Sequence, residues 1–547
     1  MSIKAALEAS SIYYPAGGTA RFIPQGDFEN FLSIATLRSE LSQCLPDHHP
    51  GQGQLSSLVE TIYSGKEGNP ESSFRKIFAT LVLIGICHRI VDFVERNIND
   101  SQLPLLHEED AVDAVNANVA DKAPVESILV RARDGYTPLD LFSSWDPTSK
   151  AGFFKEQWTF LSPIFARIGS QPGHYQLTTN HVLPVVEDGG RIDEPTLRLQ
   201  EVILVPVQIL PRSSLIRRVK LHPQHCRFES PLTGFQEVED FAWKQIPMSE
   251  KSRFIQELGI LKSLQCLNDP HIIPLLASFS IPSLGYYLLF PCAEGDLELL
   301  WLTRPDLVGS SDTVLWISEQ CYHLTNSLAR VHGDTRGIDQ TSHAPSFSAI
   351  IHGDLRPANI LWFAKGTALQ DSKLVIADWG CAEPDLGPHS GSATQLKSIG
   401  RTYRPPECDD SDAHVSVALD IWSLGCIFLE FVTWYLLGWE AVEDTFSVVR
   451  LGPDSIRPHI ESDTFFSRTE GRWEVKPQVL SWTQKLTEHQ GCSPCVQDIL
   501  SVIMDCMLEV NPAQRSTART LAIKFHDIFA RCEKNPDYYK GINHSQR

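Results

Sequence analysis

Residues 350–363 read I-I-H-G-D-L-R-P-A-N-I-L-W-F, residues 374–380 read L-V-I-A-D-W-G, and residues 400–407 read G-R-T-Y-R-P-P-E. Asp354 and Asn359 stand five residues apart on what reads as one loop. Asp378 follows 19 residues after Asn359, behind the apolar run Leu374, Val375, Ile376 and Ala377. Two carboxylates and an amide brought together in this way suit metal-assisted transfer of a phosphoryl group. One acid orients the acceptor hydroxyl, while the amide and the other acid hold Mg²⁺ on the phosphates. Asp and Asn also favour turns without any chemistry. The strand-like apolar run beside each motif, and their order along the chain, weaken that plainer reading.

The 547 residues are too many for one ordinary core and predict roughly two to four compact units. Hydrophobic content of 42% and charged content of 21% are globular values. A net charge of −20 disfavours nucleic acid as a main partner, because phosphate contacts need clustered Lys and Arg. The 13 cysteines form no spacing framework, so they read as reduced thiols of an intracellular protein, cytoplasmic with the nucleus also open to it. Cys492-Ser-Pro-Cys495 is one C-x-x-C without a second pair and reads as free thiols on an ordinary loop. Met1 to Ala20 has no apolar core of a signal peptide. Ile77 to Cys87 is apolar but short, and Asp420 and Glu430 interrupt Ala418 to Trp439; both read as buried core helices, with no membrane partner.

Residues 1–195 read as a mainly α-helical N-terminal region. Phe28 to Leu45 and Ser72 to Asn97 carry apolar residues at three-and-four spacing, and Asn69-Pro-Glu-Ser72 supplies helix-start chemistry for the second. Pro46 to Gln54 reads as a loop. Trp145, Phe153, Phe154, Trp158, Phe160 and Phe165 read as packed core or a docking face. Glu187-Asp-Gly-Gly190 marks a boundary, and no catalytic constellation precedes it.

Beyond Pro206 the texture changes. Leu215 to Leu221, His225 to Phe228 and Phe241 to Ile246 read as short strands, the last carrying Lys244. A lysine at the end of a buried strand can reach nucleotide phosphates while an acid on a neighbouring helix holds it. Glu257, in F-I-Q-E-L-G-I-L-K-S-L, is that acid. Tyr286 to Leu297 reads as a strand, a connector and a helix, either an ordinary connection or a hinge. Thr313 to His332 reads as a long helix, and Gly333 to Ser348 as a surface insertion. Asp420-Ile-Trp-Ser-Leu-Gly425 opens an apolar helix, and a buried Arg515 from Asn511-Pro-Ala-Gln-Arg515 is expected to clamp Glu407.

In this order, the motifs of residues 205–532 resemble the eukaryotic protein kinase domain, serine/threonine type. The front half, with Q-W-T-F-L-S-P-I-F, resembles fungal kinase-like proteins with an N-terminal helical extension. The resemblance implies an α+β, bilobal fold. A small β-rich N-lobe would span 205–293, a helical C-lobe 294–532 and a tail 533–547, all preceded by the helical region. It implies ATP and Mg²⁺ as cofactors and a protein as substrate. Lys244 would contact the α- and β-phosphates, anchored by Glu257. Phe290 and Cys292 would meet adenine through their backbone, and Asp296 the ribose. Asp354 would be the catalytic base, Asn359 and Asp378 the metal ligands, and His352 a buttress. Arg356 stands where such kinases carry a Lys that neutralises the transferred phosphate. For residues 1–195, binding a protein partner and binding the kinase lobes are both open.

Four departures stand out. No G-x-G-x-x-G precedes Lys244; Lys220 to Cys226 takes the place of a phosphate-covering loop, and Gly234 is the lone glycine between Pro206 and Lys244. Gly353 replaces the Arg of H-R-D, which predicts activity not switched by activation-loop phosphorylation. Trp379 replaces the Phe of D-F-G. Gly400 stands where a Thr commonly faces the acceptor. Three readings follow: an active serine/threonine kinase, a pseudokinase acting as a nucleotide-binding or scaffolding module, and a small-molecule phosphotransferase. The P-P-E, D-x-W-S-x-G and Arg515 elements disfavour the third.

Overall fold

The computed structural model describes residues 2–15, 17–45, 52–65, 72–107, 128–132, 135–168, 171–192, 215–228, 239–333, 349–364, 366, 368–385, 402–410, 416–457 and 459–540. The readings made of Asn69 to Glu71, Pro206, Gly234, 334–348 and Gly400 lie outside these residues. The chain forms two compact units. One takes residues 1–229, 237–251 and 276–290, the other 230–236, 252–275 and 291–547.

The first unit opens with helices α1 (Ile3–Ala9), α2 (Gln25–Phe31), α3 (Ile34–Cys44), α4 (Gln52–Ser64), α5 (Arg75–Leu83), α6 (Ile90–Arg96) and α7 (Pro147–Glu156). The periodicity predicts two long helices where the chain makes four shorter ones. Ser33 accepts from Thr36 N and starts α3 afresh, which splits the first run. Gly85 takes φ +79°, which ends the second run after Leu83, and Asn97 closes α6 in the left-handed region at φ 55°. Gln52 to Gln54 begin α4 rather than finish a loop. The apolar stripes meet in one core that includes Leu37, Leu41, Ile62, Phe78, Phe93, Phe142, Trp145 and Phe153. Phe160 joins that core, while Phe165 instead stacks on Phe279 at 5.5 Å. Cys44 and Cys87 form a disulfide with Cα atoms 6.1 Å apart, so these two are not the reduced thiols expected.

The same unit holds an eight-stranded sheet. Its strands are β1 (Phe165–Ile168), β2 (Gln171–Gln176), β3 (Val185–Arg191), β4 (Leu215–Leu221), β5 (Cys226–Arg227), β6 (Asp240–Ile246), β7 (Ala277–Ile281) and β8 (Gly285–Pro291). Their order is β5-β1-β2-β7-β8-β6-β4-β3. This sheet cannot be flat. β4 and β5 lie six strand spacings apart in that order, or about 29 Å. The chain from Leu221 to Cys226 reaches at most about 17 Å, less with its helical turn at Pro223–His225. The sheet therefore curls toward its own far edge.

Two sequence expectations change here. Strands from residues 165–191 are hydrogen-bonded into the sheet that carries Lys244, so a boundary near 195 does not divide it. The hairpin partner of β4 is β3, reached through residues 192–214, not the segment Lys220 to Cys226. That segment faces elsewhere: Gln224 Oε1 accepts from Gly26 N at 2.7 Å, and the His225 ring lies edge-on to Phe22 at 5.2 Å.

The second unit is mainly helical. Helices α8 (Lys251–Leu264), α9 (Leu297–Thr303), α10 (Ser311–Val331), α11 (Ala418–Leu437), α12 (Pro477–Thr487), α13 (Pro494–Val502), α14 (Ala518–Lys534) and α15 (Pro536–Lys540) surround strands β9 (Ile360–Phe363) and β10 (Lys373–Ile376). The expected tail at 533–547 thus begins with a helix, and its end at 541–547 lies outside the described residues. Helix α11 is long and apolar enough to cross a membrane by length and composition, yet every residue from Leu419 to Leu436 is buried within the unit. Its Asp420 and Glu430 are each hydrogen-bonded to buried partners, which is what lets two acids sit in such a helix.

Candidate active site

The loop between Ile351 and β9 is fixed by one buried carboxylate. Asp420, fully buried on α11, accepts from His352 N at 2.8 Å, Gly353 N at 3.0 Å and His332 Nε2 at 2.9 Å. Two consecutive backbone N–H groups can aim at one carboxylate because Gly353 takes φ +79°, a conformation without penalty for glycine. The sequence marked Asp420 only as the opening of an apolar helix. Its backbone partners lie 67 and 68 residues upstream, so nothing local reveals them.

His352 acts as the expected buttress. Its Nε2 lies 3.0 Å from Ala377 O, a carbonyl that can only accept, so Nε2 carries the proton. Its Nδ1 is then the acceptor for Asp354 N at 3.3 Å. One neutral tautomer satisfies both contacts. The ring also packs on Trp379 with centroids 4.6 Å apart, so the larger aromatic in D-W-G finds a buried seat, with its indole N–H unpartnered among the described residues.

Asp354, Arg356 and Asn359 come together. Asn359 Nδ2 donates to Asp354 O at 2.7 Å and to Asp354 Oδ2 at 3.1 Å, while Arg356 Nε lies 3.7 Å from the same Oδ2. With its amide nitrogen turned to Asp354, Asn359 presents Oδ1 as its remaining metal-binding atom. Ala377 N donates to Asn359 O at 2.9 Å, which ties the end of β10, and hence Asp378, to the loop.

Asp378 adopts φ 61° and ψ 75°, the left-handed region that costs a non-glycine residue of order 1–3 kcal/mol and clusters at functional sites. Gly380 follows in a crowded place. A Cβ there would lie 3.2 Å from Asp378 Oδ1 and 3.3 Å from both Glu257 Oε2 and Arg253 Nη2. Glu257 is thus buried on α8 beside the D-W-G turn, and Gln256 Nε2 on the same helix donates to Ala382 O at 3.0 Å. Arg253, one helical turn before Glu257, is a charged neighbour of this turn that sequence reasoning did not single out.

Lys244 belongs to the other unit. It sits on β6 opposite Ile216 of β4 and is only 4% exposed, so it is no solvated strand end. Phe290 is the penultimate residue of β8, and Asp296 caps α9 by accepting from Leu299 N at 2.8 Å. Cys292 Sγ lies 3.5 Å from Ala293 O.

The clamp expected from P-P-E is present. Arg515 donates from Nη1 and Nη2 to the two oxygens of Glu407 at 2.7 and 3.0 Å, and from Nη1 to Ala418 O at 2.7 Å. Nearby, Glu430 accepts from Tyr403 Oη at 2.8 Å and from Arg450 Nη2 at 3.0 Å. Burial pushes the Glu430 carboxyl up to about 7, opposed by Arg450 and Tyr403. Arg404 binds Asp409 at 2.7 Å and Asp454 at 2.8 Å. Residues 402–410 are therefore held by charge pairs.

The chemistry this supports is that of oxygen ligands for a hard cation next to a carboxylate base. A metal-ligand fit rests on Asn359 Oδ1 and the Asp378 carboxylate, an amide and an acid held by the same backbone stitch. Among the described residues no cluster of three or more His, Cys, Asp or Glu forms a self-sufficient metal site.

Comparison with known proteins agrees with this geometry. The family model for the protein kinase domain matches residues 236–525, more than half of the chain. Cyclin-dependent kinase E-1 of Arabidopsis thaliana is 30% identical over 179 residues, covering 33% of this chain and 34% of that protein. A probable serine/threonine-protein kinase of Dictyostelium discoideum is 26% identical over 304 residues, 54% of this chain and 42% of that protein. Mitogen-activated protein kinase 12 of rice is 28% identical over 192 residues, 34% of this chain and 28% of that protein. The chain thus matches less than half the length of each of these three relatives. Together with the loop, the D-W-G turn and the Glu407–Arg515 clamp, the match over 236–525 establishes that the chain belongs to the protein kinase domain family.

Proposed function

We propose that the chain transfers the ATP γ-phosphate to serine or threonine hydroxyls of protein substrates. The observation that carries this is the Asp420-anchored loop, which holds Asp354 beside Asn359 and ties both to the strand that leads to Asp378. Asp354 is the base that accepts the proton of the acceptor hydroxyl; its carboxylate is oriented by Asn359 Nδ2. Arg356, close to the same oxygen, supplies positive charge for the phosphoryl group in flight. Asn359 and Asp378 would hold Mg²⁺, and Lys244 would hold the α- and β-phosphates. When bound, the metal neutralises charge on the phosphates.

Two sequence features shape the proposal further. The connection 192–214 between β3 and β4 contains no glycine, and the glycines nearest to it are Gly189 and Gly190 near the end of β3. Gly353 leaves no H-R-D arginine to meet an activation-loop phosphate, so activity is set without that switch.

The test pairs two measurements on the purified chain: thermal stability with and without Mg-ATP, and incorporation of labelled phosphate into a serine- and threonine-containing protein. Binding at a hundredfold excess over Kd stabilises by about 2.7 kcal/mol. A shift together with transfer is expected. A shift without transfer would establish a nucleotide-binding module instead.

A further inference from the structure

Helix α13 carries Cys495 and helix α14 carries Cys532, 37 residues later, and their Sγ atoms are 3.3 Å apart. Both are buried, at 0% and 1% exposure. Sequence spacing pairs Cys495 with Cys492, in C-S-P-C; the fold pairs it with a thiol on another helix. We propose that Cys495 and Cys532 form a reversible disulfide, a modification site that takes a peroxide as its oxidant and staples α13 to α14.

The geometry is close to what the bond requires. A disulfide is about 2.05 Å long, so the sulfurs must approach by about 1.2 Å. The two sulfurs are also unequal. The hydrogen bond they share lowers the pKa of Cys532, aided by Ser318 and by the neighbouring Arg531, and pushes Cys495 upward. Cys532 is therefore the attacking thiolate and Cys495 the resolving thiol. Cys321, also buried, lies near Cys495 on α10 and provides a third, competing thiol.

A cover lies over the pair. The five-residue helix α15 packs on α10, α13 and α14. Tyr538 Oη donates to Asp498 Oδ2 at 2.6 Å, Arg531 pairs with the same oxygen at 2.8 Å, and the Arg531 guanidinium sits 4.6 Å from the Tyr538 ring. A helix of five residues opens at low cost, which admits oxidant without unfolding the unit. The steps balance. The Cys532 thiolate attacks a peroxide oxygen, the O–O bond breaks, and with one proton the products are a sulfenic acid and water. The Cys495 sulfur then attacks the sulfenic sulfur, its proton leaves with the hydroxyl as a second water, and the S–S bond forms. Sulfur loses two electrons in all, and peroxide gains them.

The full-length chain, its Cys44–Cys87 disulfide intact and its other cysteines reduced, is treated with hydrogen peroxide, quenched with N-ethylmaleimide, digested and read by mass spectrometry. Exposed Cys266 reports that oxidant was present. A Cys495–Cys532 linked peptide is expected. Dithiothreitol should remove it, Tyr538→Ala should form it faster, and the oxidised chain should melt at a higher temperature. In Cys495→Ser the sulfenic acid should persist on Cys532 and be trapped by dimedone. Singly alkylated Cys495 and Cys532 under conditions that oxidise Cys266 would overturn the proposal. So would a Cys492–Cys495 or Cys321–Cys532 link in place of the expected one.

Discussion

Asp420→Asn is the substitution that separates loop anchoring from general stability. The wild-type carboxylate accepts three donors: Gly353 N on Oδ1, and His352 N with His332 Nε2 on Oδ2. Asparagine keeps the volume but turns one oxygen into an N–H₂ donor. In the less costly orientation the amide nitrogen faces Gly353 N–H, leaving that donor buried and unpaired. An unsatisfied buried group costs about 1–3 kcal/mol, and the two surviving hydrogen bonds lose their charge assistance, so the total is about 3 kcal/mol. The unpaired N–H belongs to the residue before Asp354, so the loop itself moves. A shift of about 1 Å at a catalytic group can cost about 100-fold in rate. Urea unfolding gives the first quantity, and phosphate incorporation per folded molecule gives the second. A stability change under about 0.5 kcal/mol together with unchanged transfer would refute the anchoring role.

Other expectations are as specific. Arg515→Met strands the buried Glu407 carboxylate and should lower unfolding free energy by about 3–5 kcal/mol, much of it recovered by adding Glu407→Leu; transfer per folded molecule should hold, and a urea series on the three variants checks this. Gly380→Ala puts a methyl group against Asp378, Glu257 and Arg253, so the Mg-ATP-dependent rise in melting temperature should shrink. An undiminished rise would remove that turn from the nucleotide site. Glu430 keeps its proton up to about 7 when folded but to 4.5 when unfolded. The folded state therefore binds more protons in that window, and stability should fall as pH rises through it, by about 3 kcal/mol at most. Glu430→Gln should flatten that fall in a melting-temperature series, and an identical slope in both proteins would sink the assignment.

The C-terminal half of the site was legible because its chemistry is local. Asp354 and Asn359 share one loop, and Asp378 follows the apolar run Leu374 to Ala377, so spacing alone carries most of the geometry. The Glu407–Arg515 clamp was legible through motif order, despite a separation of 108 residues. The front of the sheet was not. β3 reads V-V-E-D-G-G-R, an edge strand with mostly exposed residues and two register shifts, so it lacks the alternation that marks a half-buried strand. Its partner β4 lies beyond a long connection, which drew the reading to Lys220 to Cys226 instead. Strands β1 and β2 were hidden likewise, since β2 pairs in parallel with β7, about a hundred residues away. Asp420 was quoted but its role was invisible, because a lone acid in an apolar helix declares its partners only in three dimensions.

The central claim is that Asp354 and Asp378 do chemistry that the rest of the scaffold only positions. The direct measurement is labelled-phosphate incorporation into a serine- and threonine-containing protein by wild type, Asp354→Asn and Asp378→Asn, each matched for folded concentration. Wild type should transfer phosphate in the presence of Mg-ATP, and both variants should fall to background while keeping wild-type melting temperatures within a few degrees. Transfer by either variant at the wild-type rate would contradict the account.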